Sequence, residues 1–68
     1  MRHTEADRRT AARHVAEGEA RVERQMDMID RMSMCGHDTA GAERLLTTMQ
    51  VSLALFRDHL AQVEADLV

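Results

Sequence analysis

The stretch MSMCGHDTAGAE, residues 32–43, decides how this chain folds. Gly36 supplies the left-handed residue that commonly ends a helix, and Asp38 can accept hydrogen bonds from the first free amides of a following one. CGHD is therefore a turn between two helical segments, spanning about residues 4–35 and 38–67. Gly41 weakens the start of the second segment, and Glu43 partly compensates through the helix dipole. At the other end of the first segment, T-E-A-D offers Thr4 as N-cap with Asp7 three residues on, a capping-box-like start.

Working outward from the turn, the second segment carries the cleaner apolar pattern. Ala42, Leu46, Met49, Leu53, Phe56, Leu60, Val63 and Leu67 follow one another at steps of four and three, which is a heptad seam. The first segment is looser, with Val15, Val22 and Ile29 seven apart and Ala11, Ala12, Gly18, Met26 and Met32 beside them. Two rods of about thirty residues, roughly 45 Å each, joined by a short turn fold back on each other. The expected fold is all-α, one domain over residues 1–68, an antiparallel two-helix hairpin. With the turn centred near Gly36 and His37, Ile29 is expected opposite Leu46, Met26 opposite Met49, Val22 opposite Leu53, Val15 opposite Leu60 and Ala12 opposite Val63. Gly18 falls opposite Phe56, where its missing side chain leaves room for the only aromatic ring other than histidine.

One such hairpin has little core. A chain of 68 residues hides only about 60% of its unfolded surface as a monomer, and small helical chains without disulfide or metal commonly gain the remaining stability by association. Leu45, Val51 and Leu55 are left over once the seam is filled, and with Met28 and Met32 they form the expected interface of a homodimer, two hairpins in a four-helix bundle. The other side of the first helix is a ladder of charges four apart, Glu5, Arg9, Arg13, Glu17 and Arg21, with Asp27 and Arg31 repeating it, and reads as a solvated face.

Composition excludes several classes. The formal charge of −3 argues against a general nucleic-acid binder, although the first fourteen residues are locally basic. All nine basic residues are Arg, Ala is abundant and Lys and Asn are absent, the usage of a GC-rich bacterial genome. No apolar run approaches a membrane span, no signal-type segment follows the N-terminus, and a single Cys forms no internal disulfide, so a cytoplasmic protein is expected.

Two constellations could carry chemistry. Met28, Met32 and Cys35, spaced i, i+4, i+7, share a stripe that could hold Cu(I) with His37 nearby; methionine stripes on helices more often fill cores and interfaces. His14 and His59 are expected near each other at the open end of the hairpin with Glu17 one turn along, a possible zinc set. Flanking histidines more often bond to neighbouring acids, so neither a cofactor nor a metal is assigned. Cys35 with His37 lacks an oxyanion loop, and Cys35 sits at the negative end of its helix, which disfavours a thiolate; no enzyme activity is expected. His3 belongs to a tail expected to fray.

HVAEGE (His14–Glu19), GHDTAGAERLL (Gly36–Leu46) and the later Leu53, Leu55, His59 spacing resemble the pattern of short uncharacterised helical-hairpin proteins of alphaproteobacteria, over about residues 14–60. An acid is common in that pattern where this chain has Gly41. The resemblance implies a helical hairpin and a bacterial origin, and no activity. The expected function is a small protein–protein interaction or regulatory module acting as a homodimer through its helical faces, with a further protein partner possible in principle and neither nucleic acid nor membrane as one. The alternative is a metal-binding or redox-sensing protein using His14, Glu17 and His59 or Met28, Met32 and Cys35.

Overall fold

The computed structural model describes residues 2–68. Two helices, α1 (Glu5–Met34) and α2 (Ala40–Leu67), pack against each other as an antiparallel hairpin. Both ends of α1 and the start of α2 have a local chemical cause. The Thr4 N–H donates to Asp7 Oδ2 at 2.8 Å and the Asp7 N–H donates to Thr4 Oγ1 at 3.1 Å, so the capping box is complete. At the far end Gly36 has φ +77°. There the His37 N–H donates to the Met32 carbonyl (2.9 Å) and the Gly36 N–H to that of Ser33 (3.0 Å). This pair of bonds is a Schellman motif, which satisfies carbonyls that α1 would otherwise leave open. α2 starts at Ala40 rather than Asp38: Thr39 is its N-cap without a side-chain bond, and Asp38 Oδ1 accepts from the Ala40 N–H at 3.0 Å.

The line along which α1 meets α2 is Ala11, Gly18 and Gln25, the only buried residues of that helix. They are spaced seven apart. Val15, Val22 and Ile29, expected to form the seam, are half-buried beside this line. Small residues at the closest approach bring the axes together, and larger side chains then flank the contact instead of separating the helices. The register changes with it. A Cβ on Gly18 would lie 3.1 Å from Leu53 Cδ1 and 3.5 Å from Phe56 Cδ2. The expected Gly18–Phe56 neighbourhood is present, and Leu53, expected at Val22, reaches Gly18 more closely still.

Met26 is the clearest departure from the expected core. It is 48% exposed, and its predecessor Gln25, 8% exposed, turns inward to donate from Nε2 to the Ala42 carbonyl at 2.9 Å. A buried amide must find a partner, and the first turn of α2 supplies one. The fully apolar core is then thin: Ala11, Leu53 and Val63.

His3 also departs from expectation. Its Nδ1 hydrogen-bonds Asp66 Oδ2 near the end of α2, and its ring stands edge-on to His59 with centroids 5.7 Å apart. The segment ahead of α1 is therefore tied across the open end of the hairpin. Of the charge ladder, Glu17 lies 3.9 Å from both Arg13 and Arg21, while Glu5 pairs with Arg8 one residue short of the expected Arg9. The Arg8 hydrogen bond holds the Glu5 carboxyl below its ordinary pKa.

Candidate interaction face

The hairpin is a slab whose Cα positions extend 51 × 15 × 12 Å. Its two broad faces differ in chemistry. On one, Arg57 bonds Glu19 across the helices at 3.2 Å. Helical spacing adds Glu23 and Asp30 from α1 and Glu64 from α2 to that face. It is charged along its length.

The opposite face carries a groove between the helices. A cavity of about 200 Å³ there is lined by Gly18, Arg21, Thr48, Met49, Ser52, Leu53 and Phe56. A second, of about 250 Å³, adjoins it through Arg21 and Phe56 and is lined further by His14 and Glu17. Steps of seven extend this face from its lining residues: Met28 and Cys35 follow Arg21 on α1, and Leu45 precedes Ser52 on α2. Between Arg21 and the turn the face presents Met28, Met32, Cys35, Leu45, Thr48 and Ser52, with Arg24, seven residues on from Glu17, along its edge and the Arg44 guanidinium beside Gly41.

Among the residues expected at an interface, Met28 is 38% exposed, Leu45 51%, Val51 58% and Leu55 63%; Met32 is half-buried. They do not share one direction. Leu45 flanks the groove, Leu55 follows Thr48 by seven residues at the rim of the same face, and Val51, two residues from buried Leu53, points from the back of α2. Sequence reasoning passed over a plain signal here: residues 45–56, LLTTMQVSLALF, contain no charged side chain at all. Such a helix segment is apolar or neutral around its whole circumference, although α1 covers only one stripe of it.

The surface has a measure. The chain leaves 5125 Å² accessible, whereas a compact monomer of its 7.7 kDa mass exposes about 4,300 Å². The excess, about 800 Å², reflects the elongated shape of two long helices packed along a single contact line. The radius of gyration says the same, 15.6 Å against roughly 11 Å for a compact chain of this length.

The histidines considered for metal chemistry fall in two neighbourhoods. His14 lies against Phe56, with ring centroids 5.7 Å apart, and shares its cavity with Glu17, whereas His59 stands with His3. His14 is level with Phe56, one helical turn before His59 on α2. Among the described residues no group of three or more His, Cys, Asp or Glu side chains is placed to hold a metal ion. Cys35 is free and exposed beside the turn. Among the described residues, too, no helix is long and apolar enough to cross a membrane. Compared with protein-family models, curated proteins and solved structures, the chain matches none.

Proposed function

We propose that this chain is a non-enzymatic interaction or regulatory module of the cytoplasm that works as a homodimer, two hairpins joined into a four-helix bundle. The observation that supports it is the exposed apolar surface of the groove face, where Met28 and Leu45 are exposed while the buried apolar residues among those described are Ala11, Leu53 and Val63. A second copy covers such a face with the same chemistry, because an isologous contact presents a patch to itself.

The test uses linkage between folding and association. If folding and dimerisation are coupled, the thermal midpoint rises with protein concentration. Circular dichroism melts over a hundredfold range of concentration will show that rise for the unaltered chain. Leu45→Glu, which puts a charge at the edge of the groove without touching buried Leu53, will lower the midpoint and remove its concentration dependence. A midpoint independent of concentration in the unaltered chain refutes the homodimer.

A further inference from the structure

We infer that the turn half of the groove face docks an amphipathic helix of another protein, one whose apolar stripe is flanked by Asp and Glu. The inference rests on reading the chain as an interaction module. It names a second occupant for the face that the homodimer uses and needs no particular arrangement of the two copies.

Arginines edge this half on both sides. Arg24 and Arg31 stand seven apart along the outer edge of the face on α1, and on α2 the Arg44 guanidinium lies beside Gly41. All three are exposed, and among the described residues none of them has a carboxylate in ion-pairing reach, unlike Arg8, Arg21 and Arg57. The acids nearest in sequence are turned elsewhere. Glu43 stands fourteen residues before Arg57 and, with Glu23 and Asp30, belongs to the opposite face; Asp27 lies on the side of α1 opposite the Gly18–Gln25 contact line; Asp38 is held at the turn by the Ala40 N–H. Between the two arginine edges runs an apolar strip, Met28, Met32 and Leu45, which ends on the cavity of about 200 Å³ lined by Leu53 and Phe56.

An apolar strip between two positive edges is complementary to an apolar stripe between two acidic ones. A helix also fits it in shape. The face is 15 Å wide, a helix with its side chains measures about 10–12 Å across, and the roughly 20 Å from Arg21 to the turn takes nearly four helical turns. The floor consists of helices, which offer no strand edge, so an extended segment would bury backbone groups without partners; a helix brings its own already satisfied. The phosphates of a nucleic acid would lie on methionine and leucine, and the chain's one Phe, Phe56, is half-buried, which leaves bases little to stack on. A second copy supplies apolar surface, but its own acids on this face are engaged, Glu17 near Arg13 and Arg21 and Asp66 with His3. The acidic helix therefore displaces the second copy, and the two occupants exclude each other.

The probe is a synthetic peptide of about fifteen residues with leucines on one face and glutamates flanking them, compared by fluorescence anisotropy with the same peptide carrying Lys for Glu. The full chain will bind the Glu peptide about tenfold more tightly or better, and the preference will shrink as salt is added. Arg44→Glu will weaken that binding, and Arg24→Glu repeats the test from α1. Arg9→Glu, an equal change of net charge outside the face, will leave it unchanged. Circular dichroism checks that each variant is folded. Equal affinity for the two peptides, no binding of the Glu peptide, equal effects of Arg44→Glu and Arg9→Glu, or tighter binding of a single-stranded oligonucleotide at the same salt overturns the inference. Sedimentation mass keeps it apart from the homodimer. Dimeric mass with no peptide bound overturns the acidic helix alone, whereas selective binding of the Glu peptide to a chain that is monomeric without it supports the acidic helix and removes the homodimer.

Discussion

Gly18 and Gln25 set the contact between the helices, though neither is a residue that hydrophobic weight would choose. Glycine inside a helix costs about 1 kcal/mol relative to alanine, and the return is an approach so close that a Cβ would meet Leu53 Cδ1 at 3.1 Å. Gly18→Val is therefore expected to destabilise the hairpin by about 1–3 kcal/mol through overpacking, measured by urea denaturation, despite adding a side chain to an apolar site. A neutral or stabilising result would mean that the helices separate more easily than the Leu53 contact indicates. The sequence made the Gly18–Phe56 neighbourhood legible, because a glycine and a lone phenyl ring at matching distances from the turn point to each other. It concealed Gln25, since a polar residue seven places from Gly18 and fourteen from Ala11 reads as surface until the Ala42 carbonyl is known to lie within reach. His3 was hidden for another reason: its partner Asp66 lies 63 residues away, and no local rule brings them together.

At the scale of the elements, local chemistry fixes both ends of α1 and, through Asp38, the start of α2. Thr4, Asp7 and Gly36 could be read directly, since each acts on amides or carbonyls within a few residues. The interhelical register could not, because it depends on which stripe of α1 permits the closest approach. A test of the α1 start follows from Asp7, whose carboxyl is held below its ordinary pKa mainly by the Thr4 backbone N–H, with Thr4 Oγ1 and the nearby His3 and His59 adding to it. A carboxyl with a lowered folded-state pKa stabilises the fold above its unfolded value, about 3.9, and that contribution fades as pH falls through the folded value. NMR titration of the Asp7 carboxyl is expected to give a midpoint below 3.9, with amide protection in the first turn of α1 decreasing over the same range of pH. Thr4→Ala will cost about 1 kcal/mol and move the Asp7 midpoint upward. An unmoved midpoint would show that the Thr4 hydroxyl adds nothing to the backbone N–H, which the variant keeps.

For the whole molecule, a thin core and exposed apolar side chains are two sides of one fact. Among the described residues Ala11, Leu53 and Val63 are the buried apolar ones, while Leu45, Val51 and Leu55 stay more than half exposed. The surplus of apolar residues on α2 was visible in the sequence. Their separation into a groove face and a back face was not, because it follows from where α1 seats itself. Sedimentation equilibrium of the unaltered chain at micromolar concentration is the most direct measurement of this claim. A homodimer gives twice the 7.7 kDa chain mass; a folded species that keeps the single-chain mass across that range contradicts it.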